Sequence, residues 1–270
     1  CPDLKFVSCA LKGYDNFDLD ACSSRGVLVA AVPDLLTIPT GELAVGLAIG
    51  LARNVPAGDA YVRGGGFAGW RAHLYGKGLD GSLVGLVGAG AVGRAVAERF
   101  AGFGCRLQYF DDRELTADEE RRLGLTRTPL DELLASSDFV IVCLPLNPGT
   151  RHLIDARAIA DMKPGVHVIN ISRGSVVDEA AIADAIERGH LAGYAADVFE
   201  LEDWALADRP RAIDPRLLAD GAPTLFTPHL GSGVVRVRKA IEHEAAEHIL
   251  QFLRGETPSG AINADRVAQR

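Results

Sequence analysis

The sequence predicts an α/β protein with a doubly wound parallel sheet, and three observations carry the prediction. The apolar run Leu83-Val84-Gly85-Leu86 leads through Val87 into Gly88-Ala89-Gly90-Ala91-Val92-Gly93 and on to a helix-like stretch over residues 94–103. Strand-like runs then recur at residues 107–110, 138–144, 166–171, 193–198 and 224–227. Helical spacing separates several of these runs, at residues 130–135, 156–162 and 178–188, with Gly189 where a C-terminal cap belongs. Strands alternating with helices need crossover connections, and crossovers make the strands parallel.

Taken in chain order, residues 5–10, 17–24 and 27–31 read as strand, helix and strand. They are assigned to a second, flavodoxin-like domain of which residues 1–36 are a remnant. One such unit is too little to close a core, and the first residue is Cys1, so an N-terminal portion is expected to be absent and the chain to be a fragment. Residues 41–53 form an apolar helix rich in small side chains, which suits close packing across a subunit interface and a homodimer. The central domain is expected to run over residues 37–229. The apolar helix at residues 234–253 lies in the segment 230–270, which returns to the second domain.

The turn at Gly88 is a dinucleotide-binding fingerprint in its proper setting. Gly88 permits the tight turn, Gly90 lets backbone N–H groups approach a pyrophosphate, and Gly93 lets helix and sheet pack closely, with Ala91 and Val92 opening the helix. The positive end of the helix dipole then faces the phosphates. Asp111 ends the next strand-like run, at about the 20-residue separation the fingerprint calls for. A carboxylate there accepts from ribose hydroxyls and repels a 2′-phosphate, which favours NAD over NADP; the neighbouring Arg113 is the opposing signal.

Composition narrows the classes. The 270 residues are 48% hydrophobic, enough for one large core or two modest ones, and the net charge is −8. An acidic chain offers no basic stripe for nucleic acid. No run reaches the roughly 18 apolar residues of a membrane span and no signal peptide is visible, so a cytoplasmic enzyme with no membrane partner is expected. Cys1, Cys9, Cys22, Cys105 and Cys143 show no metal-type pairing and read as reduced packing residues. His243 and His248 are not placed as a ligand pair, and no metal is assigned.

Three polar residues follow the later strands: Arg173 in Ile171-Ser172-Arg173-Gly174, Glu202 after Asp197-Val198-Phe199, and His229 in Thr227-Pro228-His229. Ligands of open parallel sheets bind beyond the carboxyl ends of the strands, where these residues fall. Together with VGAGAVG, the CLPLN run from Cys143, NISRGSVVDEAAIADAI from Asn170, GYAADVFE from Gly193 and TPHLGS from Thr227, they make the chain resemble the D-isomer-specific 2-hydroxyacid dehydrogenases over essentially its whole length. The resemblance implies a Rossmann domain inserted in a substrate domain. It also implies an arginine that holds the substrate anion (Arg173), a histidine that exchanges the proton (His229) and a glutamate that orients and charges the imidazole (Glu202). Thr40, Cys143, Leu144, Pro145, Ile171, Ser172, Asp197, Gly231 and Ser232 are implied to line the NAD site.

Two departures from the common pattern refine the resemblance. Lys12 precedes Gly13 in the substrate-side turn, where small or apolar residues are usual, and Asp203-Trp204 replaces the common continuation after the glutamate. With GWRAHLYGKGLDG from Gly69 and VVRVRKAIE from Val234, these resemble the phosphite (phosphonate) dehydrogenases of the family. That branch implies NAD-dependent oxidation of phosphite to phosphate, with Lys12, Gly13, Arg173 and Arg238 around the dianion and Trp70 and Tyr75 shaping the pocket. The alternatives are a D-2-hydroxyacid dehydrogenase or glyoxylate/hydroxypyruvate reductase, and an NAD-sensing corepressor without turnover. For Lys12 and Arg238 the plainer readings are a turn lysine and a helix-surface cation; for Trp70 and Tyr75, interface or core packing.

Overall fold

The computed structural model describes residues 1–32, 34–71 and 73–267. Ala72, inside the motif from Gly69, and the last three residues of the C-terminal segment lie outside the described residues. Packing divides the chain into two compact units: Cys1–Pro39 with Trp204–Ala207 and Ser232–Arg270, and Thr40–Asp203 with Asp208–Gly231. These borders fall a few residues beyond 36 and 229, and the short piece Trp204–Ala207 joins the first unit.

In the first unit, β1 (Phe6–Cys9) pairs in parallel with β2 (Leu28–Ala31) through α1 (Leu19–Ser24). The helix begins at Leu19, later than the apolar pattern suggested, because Asp18 caps it by accepting from Ala21 N at 2.8 Å.

In the second unit, α2 (Thr37–Ala52) and α3 (Val55–Arg63) precede β3 (Leu83–Val87), α4 (Ala91–Phe100), β4 (Arg106–Phe110), α5 (Ala117–Leu123), β5 (Leu125–Arg127), α6 (Leu130–Ser136), β6 (Phe139–Val142), α7 (Ala156–Ala160), β7 (Val166–Asn170), α8 (Glu179–Glu187), β8 (Leu191–Ala196) and β9 (Thr224–Phe226). The first three residues of α2 belong to the first unit. The first unit is completed by α9 (Val235–Leu253) and α10 (Ala264–Val267). There Phe6 stacks on Phe252 at 4.7 Å, and buried Asn263 accepts from Val29 N and donates to Ser23 Oγ and Val27 O. His248 is fully buried on α9, with Nε2 3.3 Å from Ser259 Oγ.

The larger sheet has the order β5-β4-β3-β6-β7-β8-β9, parallel throughout. Both faces are covered, so its strands are continuous apolar runs rather than alternating ones. Side chains still alternate in destination: Leu86, Phe139, Ile141 and Ile169 pack with α2 and α4, whereas Val87, Val140, Val142 and Val168 pack with α6, α7 and α8. Where β6 begins, Asp138 accepts from Lys77 Nζ and Lys163 Nζ at 2.6 Å each and from Leu83 N at 2.9 Å. Burial alone raises its carboxyl pKa, but the Lys163, Lys77 and Leu83 hydrogen bonds outweigh it and hold the group well below the usual carboxylate range.

One face of α2 is used inside the chain: Ala44, Leu47, Ala48, Leu51 and Ala52 are core residues, and a Cβ at Gly50 would lie 2.7 Å from Leu225 Cδ2. One expectation is corrected: residues 94–103 are not one helix, since α4 starts at Ala91 and a tighter turn over Ala101–Phe103 follows it. The five thiols are free; Cys9 is buried and Cys1 is exposed. Among the described residues no helix is long and apolar enough to cross a membrane.

Candidate active site

The strand order reverses between β3 and β6, and the fingerprint turn sits at that switch point. Gly88 has φ +107°, a region that L side chains avoid, and its N–H donates to Phe110 O at 2.8 Å. A Cβ at Gly93 would lie 2.1 Å from Gly88 O, so only glycine lets α4 approach the turn. Gly90 caps α4, and a Cβ there would meet nothing within 4 Å, leaving the helix N-terminus open to an anion. Asp111 lies across the turn: Oδ2 accepts from Ala89 N at 2.7 Å and Oδ1 from Arg113 N at 2.9 Å. Gly90, Ala91, Asp111 and Arg113 line one depression. An open helix end, a glycine turn with no side chain in the way of a pyrophosphate and a carboxylate at the end of β4 fit a dinucleotide.

Cys143, Leu144 and Pro145 follow β6, and Cys143 N donates to Val87 O at 2.8 Å, which draws this loop against the Gly88 turn. Ile171, Ser172 and Arg173 follow β7. Asn170, fully buried at the end of that strand, organises them: Oδ1 accepts from Ser172 N and Ser172 Oγ, and Nδ2 donates to Arg173 O at 2.9 Å. Arg173 Nη1 donates to Ser172 O at 2.7 Å.

Asp197 directly follows β8 and is 1% exposed. It accepts from Thr227 Oγ1 and Leu230 N at 2.6 Å and from Gly231 N at 2.8 Å, and its carbonyl accepts from His229 N. Burial raises its pKa against the pull of these donors. The grip holds His229 at φ +56°, a strained backbone for a histidine. His229 Nδ1 then lies 2.6 Å from Glu202 Oε2, while Glu202 Oε1 accepts from Phe199 N at 2.8 Å. The nitrogen facing the carboxylate carries the proton, which leaves Nε2 to exchange one. The Glu202 hydrogen bond raises the His229 pKa; burial opposes it, Glu202 and Asp197 charge adds to it, and Arg173 lowers it. Arg173, Glu202 and His229 are thus brought together within one unit.

Thr40 is buried near the start of α2, and a Cβ at Gly231 would lie 3.0 Å from its Oγ1. Ser232, Lys12, Gly13 and Arg238 belong to the first unit. There Lys12 Nζ donates to Thr37 Oγ1 at 3.2 Å and lies 3.9 Å from Asp34 Oδ1, and Arg238 Nη1 lies 3.5 Å from Ser232 Oγ. Trp70 and Tyr75, in the stretch that follows α3, are 86% and 81% exposed. Sequence reasoning left out Asn170, although an amide at the end of an apolar strand, just before the arginine turn, is a readable signal.

Comparison with known proteins agrees with this geometry. The D-isomer specific 2-hydroxyacid dehydrogenase NAD-binding domain family matches residues 45–231. A glyoxylate reductase of Pyrococcus furiosus is 35% identical over 274 residues, covering 100% of this chain and 79% of that one. A D-3-phosphoglycerate dehydrogenase of Mycobacterium bovis is 38% identical over 262 residues, 97% of this chain and 47% of its own. The crystal structure of a D-lactate dehydrogenase from Aquifex aeolicus, complexed with NAD and lactic acid, is 27% identical, with a TM-score of 0.84 over 94% of this chain and 78% of that one. The chain belongs to the D-isomer specific 2-hydroxyacid dehydrogenase family and carries its NAD-binding domain.

Proposed function

We propose that this protein is an NAD-dependent dehydrogenase of small 2-hydroxy acids that also reduces the matching 2-oxo acids, in the manner of a glyoxylate or hydroxypyruvate reductase. The observation that carries the reading is the His229–Glu202 pair at 2.6 Å beside Arg173, at the carboxyl ends of the strands that follow the dinucleotide turn. The relatives named glyoxylate reductase and D-3-phosphoglycerate dehydrogenase support a carbon acid as substrate. The Thr40–Asp203 and Asp208–Gly231 unit is read as the cofactor domain and the other as part of a substrate domain.

Gly88, Gly90, Gly93 and the start of α4 would hold the pyrophosphate and Asp111 the ribose. NAD, when bound, supplies the hydride acceptor. Arg173 holds the substrate carboxylate by its guanidinium fork. His229 removes the hydroxyl proton through Nε2 in oxidation and returns it in reduction, and Glu202 stabilises the imidazolium in either direction. Asp197 fixes the loop from which His229 acts.

Phosphite oxidation is the second reading, and half-buried Lys12 is the observation that favours it. In that chemistry His229 would take a proton from water attacking phosphorus, and Lys12 and Arg173 would offset charge on the oxygens. Turnover of glyoxylate, hydroxypyruvate, D-glycerate, D-lactate and phosphite by the wild-type chain and by Lys12→Ala separates the two. The hydroxy-acid reading expects oxo-acid reduction that survives Lys12→Ala within a few fold; phosphite turnover abolished by the same change would replace it.

Homodimer formation is proposed for the stretch around α3. No residue of α3 is buried, and Val55, Val62, Phe67, Trp70 and Tyr75 are each more than half exposed, an apolar surface that a second copy would cover.

A further inference from the structure

Behind the Arg173–Glu202–His229 set lies a group of buried acids that proton exchange and anion binding do not use. Glu179, Glu200 and Asp203 are 3%, 6% and 1% exposed. Buried carboxylates are costly unless every one is matched by donors, so their partners describe what they do. Glu200 Oε1 accepts from Glu179 N at 3.0 Å, and Glu179 Oε1 accepts from Glu200 N at 2.8 Å, a reciprocal clasp between the first residue of α8 and the first of the turn Glu200–Glu202. The second oxygen of Glu200 lies 2.8 Å from His152 Nε2. His152 has φ +48°, and its N–H donates to Ser175 O. Asp203 Oδ2 accepts from Ser175 N at 2.7 Å, which ties the far end of the glutamate turn to the arginine turn. The two turns press so closely that a Cβ at Gly174 would lie 1.8 Å from the carbonyl carbon of Phe199.

We propose that Glu179 and Glu200 are positioning residues for the reaction: their reciprocal clasp, anchored on His152, holds the turn that carries Glu202 against the turn that carries Arg173. Neither touches the reacting atoms. Glu202 can aim one oxygen at His229 Nδ1 only while its other oxygen is held by Phe199 N, and that geometry belongs to the turn as a whole. The acid cluster is tolerated because it is not fully charged. Burial, opposed by the Glu200 N–H hydrogen bond and reinforced by the charges of Glu200, Asp203 and Glu202, pushes the Glu179 carboxyl up to about 7, whereas the Glu200 hydrogen bond raises the pKa of His152 against burial, with Asp178 adding to it and Arg151 opposing. Near neutral pH Glu179 is therefore only partly ionised and Glu200 faces the His152 imidazole, so the pair carries less negative charge than two free carboxylates would.

The inference rests on the reading of Arg173, Glu202 and His229 as the reacting set, so its test needs a readout apart from turnover. The full chain is compared with Glu200→Ala, Glu179→Ala and the acceptor-preserving Glu200→Gln. The His229 imidazole is titrated by NMR, its signal among the seven histidines assigned by difference from His229→Asn. The alanine variants are expected to lower the His229 pKa and to cut kcat with glyoxylate by about tenfold or more, with KM for NADH within about twofold, as a misaligned proton donor does. Glu200→Gln is expected to restore most of both. A folded Glu200→Ala with unchanged His229 titration and unchanged kcat overturns the proposal. If the wild-type chain turns over no oxo acid, the reading of the reaction fails, and the titration still decides the clasp. Should Glu200→Ala not fold, His152→Ala is read in the same two ways.

Discussion

Replacing Glu202 with glutamine keeps the shape of the side chain and removes its charge. The carboxylate faces His229 Nδ1 at 2.6 Å, with half of the His229 side chain and 30% of Glu202 exposed. Two unit charges centred about 4 Å apart interact by about 1 kcal/mol in bulk water and by about 4 kcal/mol at an effective dielectric of 20. This exposure places the pair nearer the first figure, and about 1 to 2 kcal/mol of imidazolium stabilisation is at stake once solvent screening is allowed for. Since 1.4 kcal/mol is a factor of ten, reduction of an oxo acid at neutral pH should slow by roughly 5- to 30-fold. The sign with pH follows from the raised His229 pKa. Reduction needs the protonated ring, so the rate of the wild-type chain falls as pH rises through that pKa, and in Glu202→Gln the fall begins at lower pH. Oxidation needs the neutral ring, and its acid limb moves the same way. The assay is kcat/KM against pH in both directions. Profiles that superimpose, with or without a uniform loss of rate, would refute the electrostatic role given to Glu202.

Other consequences follow from the same geometry. Gly93→Ala places a methyl group 2.1 Å from Gly88 O, so the turn must open; NADH affinity, followed by fluorescence titration, should fall at least about tenfold. Asp138→Asn leaves two lysines without their shared partner and should cost about 2 to 4 kcal/mol at pH 7 by urea denaturation. Because folding depresses the Asp138 pKa, its contribution is present above the unfolded value near 4 and is lost as pH falls through the folded one, so wild type and variant should converge in acid. Burying a residue of the exposed α3 stretch in a dimer predicts that Trp70→Ser and Phe67→Ser together shift the sedimentation of the chain toward the monomer.

The parts of this fold that were legible in the sequence are those whose burial is one-sided or complete. The apolar runs of β3, β4, β6, β7 and β8 and the glycine turn announce themselves, because strands covered on both faces cannot hide among polar residues. Elements that bury little left no period to read. In α5 the one buried residue is Leu123, and β5 is three residues at the sheet edge; α3 buries nothing. The Thr116–Glu119 capping box ahead of α5 was the readable mark of that helix. At the site, Arg173, Glu202 and His229 follow strands and could be named from the chain alone. What the chain does not display is how they are held: the strained φ of His229, the donors gathered by Asp197 and the clasp of Glu179 on Glu200 all depend on contacts between turns distant in sequence.

The account stands most directly on NADH oxidation driven by glyoxylate or hydroxypyruvate in the purified chain, measured beside His229→Ala. The expected result is turnover of an oxo acid that falls by about 100-fold or more in the variant, while NADH binding is retained. NADH binding without turnover of either acid, or NADH formation from phosphite in their place, would contradict it.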